Sequence, residues 1–217
     1  MGAAQVAPEG NLMAYCTAAQ VKTYLGVSGA GDDTLIGDLI TRAQAWIDSY
    51  TGRTFEASTN STRRFTVNED TDGAWLYFDE DIASITTVTN LADATSTQTI
   101  SSTEYVTFPR NQTPYVAIRI LDSASKEWDY SADPEMGVTV AGKWAYSTAA
   151  PNDIVHGCVR LASYLYRQKD SQVFNTTSFP EAGVVETPGD MPPDIAKILD
   201  QYRRSLSCLA GRSRIQH

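Results

Sequence analysis

Apolar residues recur with helical spacing in two segments near the start of the chain. The first follows Thr17-Ala-Ala-Gln20, which has the spacing of a capping box, and Gly26 supplies its stop. The second runs from Leu35 to Tyr50 as one continuous apolar stripe and ends before Gly52. The pattern therefore predicts a pair of amphipathic helices before residue 55.

Two further helical patterns occupy the end of the chain. Pro151-Asn-Asp153 opens the first, because proline is tolerated in the first turn of a helix. Pro192-Pro-Asp194 opens the second, whose stripe continues to Leu206 and whose stop is Gly211. The apolar stripe of the first of these two helices contains Ile154, Val155, Cys158, Leu161, Ala162, Leu165 and Tyr166.

Between the two pairs of helices, from about residue 55 to 147, the hydrophobic period changes to two. This stretch is rich in Thr, Val, Ile and aromatic residues, which favour strands. Asp72-Gly73 is a hairpin signal between the first two strands. The predicted strands are Arg63–Val67, Trp75–Phe78, Ser84–Thr89, Tyr105–Phe108, Tyr115–Ile120 and Val138–Tyr146.

Together these patterns predict an α+β fold with a small four-helix core. An antiparallel β region, like a barrel or sandwich, is inserted between helices two and three. Residues 171–190 show neither period, and a stretch of that length without structure is generally functional or disordered. The predicted organisation is a flexible arm (1–16), a helical core (17–54 and 148–210) with a long loop (171–190), an inserted β region (55–147) and a tail (211–217).

Charge argues against a free-standing nucleic-acid binder. The 217 residues have a formal net charge of −9, with 26 acidic and 17 basic residues. The charge is distributed unevenly, because the segment from Lys197 onwards contains five basic residues and one acidic residue. Such asymmetry suggests a basic end that meets an acidic surface, although cations also offset a helix dipole.

Cysteine usage and hydropathy bear on the compartment. Cys16, Cys158 and Cys208 are odd in number and far apart, which fits a reducing compartment and not a disulfide scaffold. The N-terminus lacks a basic region followed by an apolar run, so we expect no signal peptide. No run approaches the 18 apolar residues typical of a spanning helix, and we expect no membrane partner.

The sequence contains no recognisable set of catalytic residues. His156 is the only histidine besides the C-terminal His217, and its spacing to Cys158 matches no zinc site. Ser28 sits in Gly26-Val-Ser-Gly-Ala30, which misses the nucleophile-elbow pattern at its last position. The sequence therefore predicts no enzyme and no cofactor. A hydrolase that uses His156 or the acids between Glu69 and Asp81 stays open as a hypothesis.

One segment has the register of a calcium loop. Asn68, Asp70, Asp72 and Asp79 fall at positions 1, 3, 5 and 12, with Gly73 at position 6. A hairpin turn with solvent-exposed acidic side chains explains the same residues equally well. The alternative function is thus a calcium- or glycan-binding β-domain module, which would use this loop with Trp75 and Trp144.

The order of the segments resembles phage head–tail connector proteins, the neck adaptors that join the portal to the tail. The resemblance is carried by the Leu35–Tyr50 helix and by the segments around it and near the end of the chain. These segments are Tyr15-Cys-Thr-Ala-Ala-Gln-Val-Lys-Thr-Tyr-Leu-Gly26, Thr51-Gly-Arg-Thr-Phe55, Val140-Ala-Gly-Lys-Trp-Ala-Tyr-Ser147, Pro151-Asn-Asp-Ile154 and Pro192-Pro-Asp-Ile195 with Tyr202-Arg-Arg204. Ala145 stands where the family often has glycine, and the middle strands match only in character.

This resemblance implies a structural protein of the virion neck, assembled in the host cytoplasm. It implies a homo-oligomeric ring, usually of twelve copies, beneath the portal protein. It also implies that the ring receives the stopper or tail-terminator protein and lines the channel through which DNA leaves the head. An acidic wall would repel phosphates, so that DNA passes without specific binding.

The resemblance also suggests which residues meet the partners. On this interpretation the basic C-terminal segment grips the portal, through Arg203, Arg204, Arg212 and Arg214. The long loop is the candidate contact with neighbouring subunits or the next ring, through Phe174, Phe179, Val184 and Val185.

Overall fold

A computed structural model describes residues 14–169, 177–178, 185–186 and 191–204. The described chain forms two compact units. We call Ala14–Gly52 with Ala150–Arg204 the helical unit, and Arg53–Ala149 the β unit. The β unit is thus an insertion in the sequence between two halves of the helical unit.

The helical unit contains the four predicted helices, α1 (Ala18–Leu25), α2 (Asp33–Thr51), α3 (Asn152–Gln168) and α4 (Pro193–Asp200). The capping box predicted for α1 and the glycine stops predicted for α1 and α2 are confirmed. Thr17 and Gln20 form the reciprocal capping box of α1. Gly26 and Gly52 end α1 and α2 in the left-handed conformation, with φ of 72° and 67°, which glycine adopts without steric cost.

Helix α3 lies at the centre of the helical unit, where it packs against α1, α2 and α4. Its predicted stripe is buried at Ile154, Cys158, Leu161 and Ala162. Val159 and Ser163 are also buried, because partners on several sides cover more of the helix than one stripe.

Helix α4 is shorter than predicted. It ends at Asp200, whereas the pattern extended it through Leu206 to Gly211. After Asp200 the chain turns back to α2, because the Arg204 N–H donates to the Thr51 carbonyl oxygen at 2.9 Å. Residues 205–217 lie outside the described residues.

The flexible arm predicted for residues 1–16 does not extend to its last two residues. Tyr15 and Cys16 are buried within the helical unit. The Tyr15 N–H donates to Gln44 Oε1 at 3.3 Å, and the Tyr15 hydroxyl donates to Asp48 Oδ1 at 2.6 Å. An aromatic side chain that anchors on α2 explains why the chain is packed before α1 begins. Residues 1–13 lie outside the described residues.

Burial of the Asp48 carboxyl raises its pKa to about 6, although the Tyr15 hydroxyl acts in the opposite direction. The folded state therefore holds a proton that the unfolded chain has lost, and stability should increase as the pH falls from about 7 towards 4. We expect Asp48→Asn to raise the free energy of unfolding by about 1–2 kcal/mol at pH 8, because it removes a partly buried charge. Urea denaturation at pH 8 and pH 5 should show this gain shrinking at pH 5. Asp38→Asn, at an exposed position of α2, is the control. An equal gain in that variant would contradict the explanation by burial of the Asp48 carboxyl.

The β unit contains eight strands in two four-stranded antiparallel sheets. The first sheet has the order β1-β8-β4-β5 and the second the order β2-β3-β7-β6. The strands are β1 (Ser61–Phe65), β2 (Thr71–Asp72), β3 (Trp75–Ile82), β4 (Ser84–Asn90), β5 (Gln98–Ile100), β6 (Tyr105–Phe108), β7 (Tyr115–Ile120) and β8 (Val138–Lys143).

All six predicted strands are present, and the pairing adds two short ones. Asp72-Gly73 does turn a hairpin, with Gly73 at φ 55° and Asp72 opposite Trp75. That hairpin joins β2 to β3, however, and not the first predicted strand to the second. The first strand instead pairs with β8 in the other sheet.

One hydrophobic core takes side chains from both sheets. It includes Phe65 and Val140 from the first sheet, Leu76 and Ile118 from the second, and Trp128 from the loop before β8. The observed class is therefore α+β, with four helices and two four-stranded antiparallel sheets. Both strand orders are open, so the described residues do not form the closed barrel that was one of the expected forms.

The long loop of the prediction contains two short paired strands, β9 (Thr177–Ser178) and β10 (Val185–Glu186). Val185 lies opposite Ser178, and Glu186 lies opposite Thr177. Strands of two residues are too short for a period-two pattern to reveal them.

Candidate assembly surfaces

The basic end of the helical unit lies beside the last turn of α2. The Arg203 guanidinium is exposed, and its carbon lies 5.3 Å from the centroid of the Tyr50 ring. The Tyr50 hydroxyl donates to Asp200 Oδ1 at 2.8 Å, which raises the Tyr50 pKa. Arg204 is half-buried, and its backbone is bound to Thr51. The Arg203 guanidinium and the Arg204 backbone thus both lie beside the end of α2.

The other residues assigned to partner contacts cannot be placed. Arg212 and Arg214 lie outside the described residues, as do Phe174, Phe179 and Val184. The backbone of Val185 lies in β10. Portal gripping and loop contacts therefore remain predictions for these residues.

The outer side of the second sheet carries an aromatic surface, which we call the aromatic face (Trp75, Tyr77, Val106, Phe108, Ala117 and Arg119). Tyr77 and Phe108 are exposed, and Ala117 is buried beneath the neighbouring side chains. Strand pairing places these six side chains in two rows. Trp75 lies opposite Arg119, which lies opposite Val106. Tyr77 lies opposite Ala117, which lies opposite Phe108. The alternating neighbours Leu76 and Phe78 are buried in the core.

The rings of the aromatic face contact one another. Trp75 and Tyr77 are stacked, with centroids 6.1 Å apart, and Phe108 meets Trp75 edge-on at 5.9 Å. Tyr77 is 37% exposed and Phe108 is 52% exposed. Contiguous exposed aromatic side chains mark surfaces that bind proteins or ligands. Trp75 and Tyr77 share the outer side of β3, opposite to the side that Leu76 and Phe78 bury in the core.

Trp144 and Tyr146 have structural contacts instead. Trp144 is buried, and its indole nitrogen donates to the Ser61 carbonyl oxygen at 3.1 Å. The Arg63 guanidinium carbon lies 4.6 Å from the Trp144 ring centroid. Tyr146 packs against Phe55, with centroids 5.5 Å apart. Trp144 is therefore not available to stack a sugar, as the glycan-binding alternative requires.

Two of the segments that carry the family resemblance meet at one place in the β unit. The Tyr146 N–H donates to the Thr54 carbonyl oxygen at 2.8 Å, and the Ser147 N–H donates to the Phe55 carbonyl oxygen. Phe55 is completely buried. The first and last segments of the β unit are thus joined by backbone hydrogen bonds.

A buried ion pair lies next to this joint. Arg53 Nη1 lies 2.5 Å from Asp81 Oδ2, and the Arg53 guanidinium carbon lies 5.4 Å from the Tyr146 ring centroid. The sequence did not reveal this pair, because Arg53 and Asp81 are 28 residues apart.

The acids of the calcium-loop hypothesis have other partners. The Asp70 carboxylate accepts the Thr66 N–H at 2.9 Å, and Asp79 pairs with Arg63. Among the described residues, no group of three or more His, Cys, Asp or Glu side chains is arranged to hold a metal ion. Asp70, Asp72 and Asp79 therefore do not gather as a calcium site requires.

The hydrolase hypothesis finds no support in the contacts of its key residue. His156 is exposed on α3 and meets the Tyr24 ring edge-on at 6.4 Å. Glu80 and Asp81, from the acidic cluster, pair with Arg63 and Arg53. In the part of the chain that the structure describes, no helix combines the length and apolar character needed to cross a membrane.

The described residues therefore offer surfaces for binding other proteins, a basic helix end and an aromatic sheet face. The chain belongs to the head completion protein family, whose sequence model matches residues 14–205. The match confirms the predicted resemblance at the level of the family. No curated protein matches the sequence.

Solved structures support the same fold. Nine chains of known structure match, and two of them come from gene transfer agent particles. One is from the neck of an empty particle computed with C6 symmetry; it is 14% identical, with a TM-score of 0.57, over 92% of this chain and 93% of the other. The second is from the virion of a native particle; it is 16% identical, with a TM-score of 0.54, over 93% and 94%.

Proposed function

We propose that this protein is a structural head–tail connector of a tailed bacteriophage or phage-like particle. It forms a ring beneath the portal, joins the DNA-filled head to the stopper or tail, and lines the channel through which DNA leaves. The observation that carries the proposal is the family match over residues 14–205, together with the likeness in fold to a chain from a particle neck. The role is mechanical and needs neither turnover nor a cofactor, and the protein is assembled into the virion in the host cytoplasm.

The ring requires contacts between copies that each have a formal net charge of −9. Like-charged copies associate best through a surface that lacks carboxylates and is removed from water on contact. The two rows of the aromatic face contain no carboxylate and present three aromatic side chains. Two carboxylates border them: Asp72 lies opposite Trp75, and Asp122 pairs with Arg119 at 2.9 Å and neutralises its charge. We therefore assign the aromatic face to the contact with the neighbouring copy. The neck of the related particle was computed with C6 symmetry, which agrees with a ring, and twelve copies is our expectation for this chain.

The basic end fits a different partner, because cations bind an acidic protein surface. Arg203 is exposed and Arg204 is half-buried, and both are held beside the end of α2. We assign these residues, with Arg212 and Arg214, to the portal. The loop residues Phe174, Phe179, Val184 and Val185 remain our candidates for contact with the next ring.

The experiment uses particles produced without this protein, to which purified protein is added. We expect wild-type protein to sediment with the heads and restore tail attachment, seen by electron microscopy. The double variant Arg203→Glu, Arg204→Glu should bind at least about tenfold more weakly, because two cations become like charges, and binding of the wild type should weaken with salt. Circular dichroism and thermal melting check that the variant is folded.

Arg167→Glu is the matched control, because Arg167 is an exposed cation at the end of α3. It should bind as the wild type does. Because Arg167→Glu changes the net charge by half as much as the double variant does, a loss of binding free energy half as large in the control would mean that only the net charge matters. Unchanged binding of the double variant would refute the assignment of Arg203 and Arg204 to the portal. Particles that are complete without the protein would refute the connector role itself.

A further inference from the structure

Two cysteines that are 142 residues apart in the sequence meet inside the helical unit. The Sγ atoms of Cys16 and Cys158 lie 3.3 Å apart and share a hydrogen bond. Cys16 is 3% exposed, Cys158 is completely buried, and both are free thiols. This contact was not predictable from the sequence, because three cysteines far apart in the chain favoured isolated thiols.

Both thiols are held by the structure around them. Cys158 lies within α3, where the helical backbone fixes the direction of its side chain. Cys16 lies between Tyr15, which is bound to Gln44 and Asp48, and Thr17, which caps α1. The two sulfur atoms therefore face each other because of contacts that do not involve sulfur.

We propose that Cys16 and Cys158 form a reversible intramolecular disulfide when the protein leaves a reducing compartment. The oxidant is a low-molecular-weight disulfide, R–S–S–R, and the bond ties the segment before α1 to the central helix of the helical unit. The proposal stands on the helical unit alone and does not depend on the connector role.

The reaction is thiol–disulfide exchange in two steps. The Cys16 thiolate attacks R–S–S–R, which breaks the S–S bond of the oxidant, forms a mixed disulfide on Cys16 and releases one R–S⁻ that takes up a proton. The Cys158 thiolate then attacks Cys16 Sγ, forms the Cys16–Cys158 bond and releases the second R–S⁻, which is also protonated. The two protein thiols lose two protons and two electrons, and the oxidant gains them as two R–SH.

The environment favours Cys16 as the first nucleophile. Its hydrogen bond with Cys158 lowers the pKa of the Cys16 thiol, and the same bond together with burial raises the pKa of Cys158. The negative charge of Asp48 acts on Cys158 in the same direction. Cys16 is also the more exposed of the two. Its reaction requires only that the segment around Tyr15 opens, whereas Cys158 sits in the centre of a packed helix.

The disulfide should stabilise the protein, because it closes a loop of the chain that contains the whole β unit. Cross-links that close long loops remove the most freedom from the unfolded chain. For a domain of this size we expect the melting temperature of the oxidised protein to lie about 10 °C above that of the reduced protein.

The test uses the full chain with Cys208→Ser, which leaves Cys16 and Cys158 as the only cysteines. The protein is refolded from urea in buffers that contain oxidised and reduced glutathione, so that burial does not block access. Intact mass, free-thiol titration and peptide mapping then identify the products. We expect a mass lower by about 2 Da, no titratable thiol, a Cys16–Cys158 cross-linked peptide and the higher melting temperature, all reversed by dithiothreitol.

Cys16→Ser in the same background is the matched control; it should keep one thiol and show no shift in melting temperature between the two conditions. The same peptide map on the natural chain guards against an effect of the Cys208 substitution. A folded protein that keeps both thiols in excess oxidised glutathione would overturn the proposal. So would a stable glutathione adduct on Cys16, or a cross-link that lowers the melting temperature.

Discussion

Gly142→Ala is expected to lower the free energy of unfolding by at least about 3 kcal/mol, a large share of what a natural domain has. Gly142 lies on the central strand β8, where it is opposite Ser61 on one side and Ile85 on the other. A methyl group there would overlap the Ser84 carbonyl oxygen and lie 2.8 Å from Ile82 Cδ1. The first of these obstacles is backbone, so relief requires β4 and β8 to separate.

The measurement is urea denaturation followed by circular dichroism. Gly37→Ala is the matched control, because Gly37 lies inside α2 and a Cβ there would meet no atom within 4 Å. That change should stabilise the protein by about 0.5–1 kcal/mol, as alanine does in a helix. If Gly142→Ala were as stable as the wild type, the close approach of β4 to β8 would be wrong. The structure would then give no reason for a glycine at position 142 in the Val140–Ser147 segment.

Asp81→Ala is expected to cost about 3–5 kcal/mol, because it leaves the Arg53 guanidinium buried without its anion. The Asp81 side chain is only 5% exposed and that of Arg53 is 17% exposed, so water replaces the lost contact only in part. Asp79→Ala is the matched control two residues away on the same strand. Asp79 is 54% exposed and lies 3.8 Å from Arg63, so its loss should cost less than about 1 kcal/mol.

A double-mutant cycle separates the pair from its surroundings. The variant with both Arg53→Met and Asp81→Ala should be more stable than Asp81→Ala alone, because no unpaired buried charge remains. A double variant whose loss equals the sum of the two single losses would mean that Arg53 and Asp81 act independently. In that case the fixed position of the Thr51–Phe55 segment depends on another contact, and buried Phe55 is the next residue to test.

The helical part of the fold was predictable, because its signals are local. A capping box, two glycine stops and a continuous stripe on α2 depend on residues within a few positions of one another. The end of α4 was not predictable, because a hydrogen bond from Arg204 to distant Thr51 redirects the chain. The six longer strands followed from alternation, but their partners did not, since pairing is set by contacts that are far apart in sequence.

The sequence also predicts one of the two candidate surfaces and not the other. The basic end was visible as a cluster of charges, because charge is read directly from the residues. The aromatic face was missed, since alternation puts Trp75 and Tyr77 on one side of β3 without saying which side the core occupies. The Arg53–Asp81 and Cys16–Cys158 contacts join residues 28 and 142 positions apart, and nothing local in the sequence marks them.

The most direct test of the central claim is a cryo-electron microscopy reconstruction of the neck of the particle that contains this protein. We expect a closed ring of copies between the portal and the tail, with Tyr77 and Phe108 buried against the neighbouring copy and Arg203 directed at the portal. A protein found outside the neck, or a ring in which the aromatic face is open to solvent, would contradict it.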